Sequence, residues 1–426
     1  AALLRPIYAQ VLNKRVTGAH IYLVADGVAE IYRRRGFALY SVYVPRQAFT
    51  DGEIVIQVIE GFVNRVVIAG ETKGADLHLL RAYARKIAAQ RPLRRATLER
   101  YLLLMNEIPG LTVGSSFRPV ARPRGAVDLV LAIKRQPVTL LGGVDNYQSD
   151  DFGPLQFQVG AALQSMFRQG ALTRGVYAFS SRWNALHYGS LSHSQALGTE
   201  GLRLEVSASY LNTRPDETKV SGEALFLAFR ATFPLIRRSR TFVTLVGGFD
   251  FLNSENAFLN RTFSEDRIRA LRGGVRFAQL DNLLGKHQGR TVGSLILSQG
   301  LDIFDPRADS TPFGRTDFFK VNATLARIQE LPLDFSATVG VGGQFAGTQL
   351  LSSEQFTYGG ERFGRGFQPA EFAGDHGLVV FAELHYIRRN LNWFGVVNMI
   401  DLYAFWDWAR VWAIDTTFQP ARQTGQ

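Results

Sequence analysis

The sequence predicts a mixed fold, in which an N-terminal α+β region over residues 1–137 precedes a transmembrane antiparallel β-barrel over residues 138–426. Three observations support this prediction. Helical spacing of apolar residues is confined to the first third of the chain, alternation of apolar and polar residues takes over from Val138, and the two parts differ in net charge.

The charge difference between the two parts is large. Residues 1–137 hold 21 Lys and Arg against 10 Asp and Glu, whereas the remainder holds 27 of each. A basic region of this kind is typical of proteins that bind nucleic acid, anionic lipid or an acidic or extended polypeptide. No helix-turn-helix, zinc-finger or RNA-binding signature accompanies the charge, so we expect no nucleic-acid partner.

The composition excludes several protein classes. The chain is 46% hydrophobic and has no Cys, which excludes a disulfide scaffold, a Cys-based zinc or redox site and a disordered chain. No apolar run approaches the roughly 20 residues of a membrane-spanning helix, but this leaves membrane-spanning strands possible. The chain opens with Ala1-Ala2 inside a predicted helix and without a signal sequence, so we expect its true start to be missing or processed.

The periodicity of residues 1–137 predicts two copies of a helix–helix–strand–strand unit. In the first copy we expect helices at 3–11 and 21–32 and strands at 38–44 and 54–60, with a hairpin turn at Asp51-Gly52. In the second we expect helices at 77–89 and 96–105 and strands at 111–117 and 127–133. The cations Arg33, Arg34 and Arg35, followed by Gly36, predict the end of the second helix.

From Val138 onward, about 13 alternating segments predict long strands, with starts near residues 138, 154, 171, 184, 201, 222, 240, 266, 289, 316, 332, 377 and 399. Most exceed the usual five or six residues of a soluble strand and reach the length of a transmembrane strand. Thirteen is an odd number, and the polar tail at 416–426 shows no strand pattern. Because bacterial barrels have even strand counts, we expect a 16-stranded barrel whose last strands are missing from this chain.

A large soluble β-sandwich or propeller would show the same alternation. The strand lengths and the placement of Trp and Tyr near strand ends favour the barrel. So do the charged residues on the polar face, Arg203, Glu205, Lys320 and Glu383, because a packed sandwich core would not accommodate them.

Four motifs follow one another along the chain. The first is Val44-Pro45-Arg46-Gln47 with the hairpin that ends at Glu60-Gly61, and the second is the helix-to-strand junction at 98–113. The third lies at 352–367, where Gly359-Gly360 precedes Arg365-Gly366-Phe367, in a loop predicted at 347–376 between the eleventh and twelfth strands. The fourth is the Phe-x-Asp strand at 403–411, which contains Phe405 and Asp407.

Together these motifs resemble the TpsB transporters of two-partner secretion, of the haemolysin secretion/activation type, within the POTRA-plus-β-barrel superfamily. The resemblance covers nearly the whole chain. It implies POTRA-like domains at 1–70, incomplete at the N-terminus, and at 71–137, then a barrel at 138–426 with a lumenal loop at 347–376. It also implies export of a haemolysin- or filamentous-adhesin-type exoprotein, unfolded and without ATP, across the outer membrane of a Gram-negative bacterium, with the POTRA domains in the periplasm.

The candidate site lies where the loop tip would meet the barrel. Strand parity separates Asp407 from the Trp406 and Trp408 pair, so Asp407 is expected in the lumen and the tryptophans in lipid. The resemblance implies that Arg365, with Gly366 and Phe367, contacts Asp407 beside Phe405. The chain departs from the family pattern at Gly364, where an aliphatic residue is usual. Glu383 and His385 share the polar parity of their strand and are expected to line the pore.

The expected partners are the exoprotein and outer-membrane lipid. A client strand could add to a POTRA sheet edge, assisted by the basic residues Arg33, Arg34, Arg35, Arg46, Arg94 and Arg95. No His-Glu-x-x-His or Gly-x-Ser-x-Gly motif occurs, so we expect no enzyme, no cofactor and no metal site. A POTRA-bearing assembly factor is the nearest alternative function, and a diffusion porin or adhesive β-protein is a more distant one.

Overall fold

The computed structural model describes residues 4–47, 52–146, 148, 150–215, 219–259, 261–360, 363–393, 397–414 and 422–425. The start at Ala1-Ala2, the turn residue Asp51, and residues 415–421 and 426 lie outside the described residues. The chain divides into two compact units. The first consists of Ala1–Pro137 with the short segments Ser165–Gly170 and Arg237–Ser239, and the second of the remaining residues.

The N-terminal unit contains four helices and five strands among its described residues. In chain order they are α1 (Arg5–Tyr8), α2 (Gly18–Arg34), β1 (Tyr40–Tyr43), β2 (Gln57–Glu60), β3 (Phe62–Gly70), α3 (His78–Ala89), α4 (Arg95–Asn106), β4 (Leu111–Pro119) and β5 (Ala126–Arg135). Strands β1 and β2 form an antiparallel pair, and a separate sheet has the order β3-β5-β4. Helix α2 ends as predicted, with Gly36 at a φ of +74° after the three arginines.

Strand β3 joins residues that the predicted division of this unit keeps apart. This strand was not predicted, and its residues fall in the predicted domain at 1–70. In the structure, β3 pairs in parallel with β5 from Phe62↔Ala126 to Gly70↔Ile133. Its centre, Val66-Val67-Ile68, is a continuous apolar run, which is typical of parallel strands and carries no alternation. A boundary after residue 70 therefore separates two strands that share hydrogen bonds.

Helices α3 and α4 cover the sheet and form an apolar core. Fully buried members of this core are Leu80, Ile87, Leu93, Met105, Leu129 and Leu131. The carboxylate of Asp128 on β5 is buried and is bonded by the exposed Arg65, with 2.8 Å between Arg65 Nε and Asp128 Oδ2. This charge-assisted hydrogen bond lowers the pKa of Asp128 below its usual value of 3.8.

The second unit is built from strands that follow one another in chain order. They are β6 (Val138–Asp145), β7 (Gln156–Gln164), β8 (Ala171–Ser180), β9 (Leu186–Leu197), β10 (Leu202–Thr213), β11 (Val220–Arg237), β12 (Thr241–Phe258), β13 (Arg261–Leu284), β14 (His287–Gly300), β15 (Arg307–Ala308), β16 (Phe319–Glu330), β17 (Phe335–Ala346), β18 (Phe356–Tyr358), β19 (Phe372–Gly374), β20 (His376–Trp393), β21 (Val397–Trp412) and β22 (Arg422–Gly425). Fourteen of them form one antiparallel path from β6 to β22, with β15 attached to β13 and β18 paired to β19.

All 13 predicted strands are present, and each begins within five residues of the predicted start. The prediction of a strandless tail is wrong, because β22 pairs with β21 from Ala409↔Gly425 to Trp412↔Arg422. Its sequence, Arg-Gln-Thr-Gly, has no apolar alternation to reveal it. Several strands are longer than predicted, up to 24 residues in β13. Among the described residues, no helix is long and apolar enough to cross a membrane.

The large sheet has an apolar exposed face and a polar covered face. Leu191, Val206 and Tyr210 are 59%, 61% and 46% exposed. On the opposite face, Asp250, Lys320 and Asp407 are between 3% and 7% exposed. This inverts the pattern of a soluble protein and excludes a sandwich with an apolar core between two sheets. It is the pattern of a sheet with one face in lipid and the other around a polar lumen.

Candidate functional site

The connection of residues 347–375 between β17 and β20 is the structural centre of the site. At its start, Leu350 and Leu351 are fully buried and pack against Phe318 and Ala346. At its end, the fully buried Asp375 accepts hydrogen bonds from the backbone N–H groups of Leu350, at 2.7 Å, and Ile414, at 2.9 Å. The loop is therefore closed at its base and packed against the polar face of the sheet.

At the loop tip, Arg365 contacts three residues of β20 and β21, and we call this set of contacts the tip anchor. Arg365 Nη2 donates to Glu383 Oε1 at 2.7 Å and lies 3.4 Å from Asp407 Oδ1. The guanidinium carbon lies 3.8 Å from the centroid of the Phe405 ring, within the range of a cation–π interaction. One cation is thus held by two carboxylates and one aromatic face.

The contacts of residue 364 account for the glycine that stands there in place of the usual aliphatic residue. Its N–H donates to Asp407 Oδ2 at 3.0 Å, so Asp407 binds the loop backbone as well as the Arg365 side chain. Gly364 has a φ of +76°, and a Cβ there would lie 2.6 Å from the Tyr358 ring. A side chain at this position would therefore be strained and would displace Tyr358. The hydroxyl of Tyr358 in turn lies 3.3 Å from the main-chain oxygen of Asp407.

Aromatic side chains surround the tip. The ring centroid of Phe367 lies 5.6 Å from that of Tyr358 and 5.2 Å from that of Phe372. Phe363 packs on Phe381 of β20, with 5.5 Å between centroids. Gly366 is exposed, and a Cβ there would meet nothing within 4 Å. The tip is therefore positioned by ring packing and by Gly364, while Gly366 makes no close approach.

The structure gives Glu383 a role that the sequence did not reveal. Sequence parity placed it on the polar face, but in the structure it is the nearer carboxylate to Arg365. The register of β20 and β21 sets Glu383 opposite Phe405, beside Asp407. His385 connects Glu383 to Asp401, with 3.1 Å between His385 Nε2 and Glu383 Oε2 and 2.9 Å between His385 Nδ1 and Asp401 Oδ1. The register, which decides these contacts, could not be derived from either strand alone.

The predicted client-binding arginines lie in the N-terminal unit, and several of them contact neighbours within that unit. Arg33 Nε and Arg34 Nε each lie 2.6 Å from a carboxylate oxygen of Glu30. Arg95 pairs with Glu99 at 2.8 Å, and the guanidinium of Arg94 lies 3.9 Å from the centroid of the Phe37 ring.

The other two arginines differ in what the structure shows of them. The main-chain oxygen of Arg35 accepts a hydrogen bond from Arg94 Nη1 at 3.0 Å, and Arg46 is exposed. Within the part of the chain that the structure describes, no three His, Asp or Glu residues are grouped so that they could hold a metal ion.

Comparison with known proteins identifies the kind of protein that this is. The haemolysin secretion/activation protein family ShlB/FhaC/HecB matches residues 126–421, and the ShlB-type POTRA domain matches residues 2–61. The heme/hemopexin transporter protein HuxB of Haemophilus influenzae is 20% identical over 394 residues, which are 88% of this chain and 68% of HuxB. The outer membrane transporter CdiB of Dickeya dadantii is 26% identical over 403 residues, 90% of this chain and 68% of that protein.

The solved structure of CdiB from Escherichia coli superposes with a TM-score of 0.78 at 17% identity, and the match covers 100% of this chain and 79% of that one. This similarity confirms the predicted fold, POTRA units followed by a β-barrel. The predicted location in the outer membrane, with POTRA domains in the periplasm, is confirmed as well. The chain therefore belongs to the haemolysin secretion/activation family, whose members are the TpsB transporters that export a partner exoprotein across the outer membrane.

Proposed function

We propose that this transporter exports a large exoprotein of the haemolysin or filamentous-adhesin type in unfolded form, without ATP, and that the tip anchor holds its lumenal loop in the state competent for export. The observation that carries the proposal is the contact of Arg365 with Glu383, Asp407 and Phe405. The relatives support an exoprotein cargo, since HuxB is named a heme/hemopexin transporter. In this proposal the anchored loop, which packs on the polar wall of the bore, is the resting and competent state, and an arriving client displaces it.

The N-terminal residues would receive the client before it enters the bore. We divide them at the β2–β3 junction, into a POTRA domain that ends at residue 61 and a second at 62–137, followed by the barrel at 138–426. This division keeps β3 with its partner β5 and agrees with the family match at 2–61. In our proposal the apolar face of the barrel contacts outer-membrane lipid.

The free edge of β4 is the proposed client-binding element. Strand β4 lies at the edge of the β3-β5-β4 sheet, and its residues 114–119 are all exposed. An extended client strand could pair with this edge through main-chain hydrogen bonds. The ion pairs of Arg33, Arg34 and Arg95 reduce the charge that these residues offer to a client. Arg35 and Arg46 would contribute a diffuse attraction that weakens with salt.

The tip anchor can be tested with Arg365→Ala and Asp407→Ala in the full chain. Because Asp407 is 7% exposed, Arg365→Ala leaves a buried carboxylate without its counterion. Asp407→Ala removes one of the two carboxylates of Arg365 and the acceptor of the Gly364 N–H, and we expect either variant to lower export by about tenfold or more. Barrel folding is followed by the mobility of unheated samples on gels, and export by the amount of exoprotein in the medium. Arg388→Ala is the matched control. Arg388 lies on β20, as Glu383 does, and forms an exposed ion pair with Asp334.

Wild-type export from both tip-anchor variants, with folded barrels, would disprove the role of the tip anchor. Arg365→Lys refines the result. Lys keeps the charge but loses the planar fork and the stacking on Phe405, so intermediate export is expected.

A further inference from the structure

A second group of buried charges lies at the start of the loop, away from the tip anchor. Glu354 ends a single 3₁₀ turn at Ser352–Glu354 and is 5% exposed. Its Oε1 lies 2.6 Å from Arg272 Nη2 of β13, and its Oε2 lies 2.8 Å from Lys320 Nζ of β16. Each carboxylate oxygen thus binds a cation from a different strand. We call these contacts the base anchor.

The cations of the base anchor are held in place by the barrel wall. Arg272, Ser298 and Lys320 are register partners across β13, β14 and β16. Arg272 Nε donates to Asp250 Oδ2 at 2.5 Å, and Arg272 Nη1 donates to Ser298 Oγ at 2.9 Å. Asp250 also pairs with Arg230 of β11. The wall therefore presents a preformed site to the Glu354 carboxylate.

The backbone of the loop is bound at the same point. The main-chain oxygen of Glu354 accepts hydrogen bonds from Lys320 Nζ at 2.6 Å and from Gln344 Nε2 at 3.1 Å. Gln344 Nε2 also donates to the main-chain oxygen of Asp375 at 3.1 Å. Both ends of the loop are thus connected to one side chain of β17, beside the base anchor.

The two anchors have opposite polarity. At the tip, the loop supplies a cation to carboxylates of the wall. At the base, it supplies a carboxylate to cations of the wall. Without Glu354, the wall cluster holds Arg230, Arg272 and Lys320 against the single carboxylate of Asp250. Withdrawal of the loop therefore leaves three cations with one carboxylate and removes the direct ion-pair partner of the buried Lys320, and this opposes displacement.

We propose that Glu354 is a second positioning residue of the transporter, which holds the base of the lumenal loop through Arg272 and Lys320 and must be released, independently of the tip, before the bore opens. The inference rests on the proposed function in one respect, namely that the loop is displaced during export. It differs from that proposal in the wall residues involved. Arg272 and Lys320 lie on β13 and β16, whereas the wall residues of the tip anchor lie on β20 and β21.

The test compares Glu354→Gln with Glu371→Gln in the full-length protein in planar lipid bilayers. Glu371 lies in the same loop, is exposed, and accepts a hydrogen bond from the backbone of Gln368. Both substitutions remove one charge and keep the side-chain shape. We expect Glu354→Gln to increase the fraction of large-conductance openings by about tenfold or more and Glu371→Gln to leave it unchanged. An unchanged conductance for folded Glu354→Gln overturns the proposal.

The reciprocal exchange Glu354→Lys with Lys320→Glu separates positioning from general stability. It restores an ion pair between loop and wall, so the openings should return toward the wild-type frequency. If the folded double variant opens as often as Glu354→Gln, the result counts against a specific ion pair between residues 354 and 320. If Glu354→Gln does not fold, Lys320→Gln removes one of the two wall cations and should raise the openings by a smaller factor. No rise in folded Lys320→Gln also overturns the proposal.

Arg365→Ala in the same assay distinguishes this inference from the proposed function. If Arg365→Ala increases the openings and Glu354→Gln does not, the base anchor is rejected and the proposal of the tip anchor stands. If neither variant opens the bore, displacement of the loop itself is rejected, and both proposals fail. If the two anchors act independently, combining Arg365→Ala with Glu354→Gln should multiply the increases in opening frequency of the two single variants.

Discussion

The N-terminal unit and the barrel place the same residue types in opposite environments. In the N-terminal unit, Leu80 and Leu129 are fully buried and Arg33 is exposed. In the barrel, Leu191 is 59% exposed, whereas the charged Lys320 is 7% exposed. The first pattern is typical of a domain in water, whereas the second is typical of a sheet in lipid, whose polar groups pair inside.

This difference shows that hydrophobicity alone does not locate the core of this protein. In the barrel, the side of the strand on which a residue lies decides its environment, because neighbouring positions point to opposite faces.

The largest effect is expected from Leu80→Ala in the N-terminal unit. The truncation leaves a cavity in a fully packed core and should lower the free energy of unfolding of this unit by about 2–5 kcal/mol. Amide hydrogen exchange of α3 and β5 in the full-length protein measures the change. Leu23→Ala, at a position 67% exposed on α2, is the matched control and should change exchange little. Equal effects of both substitutions would contradict the assignment of the core.

In the barrel, Leu191→Arg should destabilise the membrane-inserted state by about 2–4 kcal/mol, because it places a charge in the lipid zone near the middle of β9. Urea titration of the protein in lipid vesicles measures this free energy. Ser190→Arg is the control, since Ser190 is the adjacent residue on the opposite, polar face. If Ser190→Arg is as destabilising as Leu191→Arg, the assignment of the two faces is wrong.

The smallest effect concerns the pH dependence of the N-terminal sheet. The pKa of Asp128 is lowered in the folded state by Arg65, so the ionised carboxylate stabilises the fold above the unfolded pKa of about 3.9. This stabilisation is lost as the pH falls through the folded pKa. Asp128→Asn should remove that acid dependence from the hydrogen exchange of β3 and β5. An unchanged acid profile in Asp128→Asn would show that another group is responsible.

The elements that the sequence predicts well are those with a periodic pattern. All 13 alternating strands and the helices α2, α3 and α4 are found where the periods indicate. The strands that were not predicted have no such pattern. Strand β3 has a continuous apolar centre, β22 is short and polar, and β15, β18 and β19 have only two or three residues each. Helix α1 spans only Arg5–Tyr8 of the predicted 3–11, because the chain forms turns after Tyr8.

For the candidate site, parity and the family resemblance indicated Arg365 and Asp407, and the structure brings these two residues together. They did not indicate that Glu383 is the nearer partner of Arg365, because that contact depends on the register of β20 against β21. Glu354 was not identified either. Its partners Arg272 and Lys320 are 82 and 34 positions away in the chain, and no local pattern connects them.

The amino-acid sequence was enough to predict which face of the large sheet is apolar and which is polar. Alternation, charge and strand length can be read from neighbouring residues, because they reflect the medium that each face contacts. The tertiary structure alone decided which charges meet. Ion pairs between a loop and the sheet depend on strand register and on the path of some 30 connecting residues, and both are set by long-range packing. For this reason the wall and its polarity could be derived from the residues, and the family resemblance indicated the contact of Arg365 with Asp407. The contacts of Glu383 and Glu354 were found only in the structure.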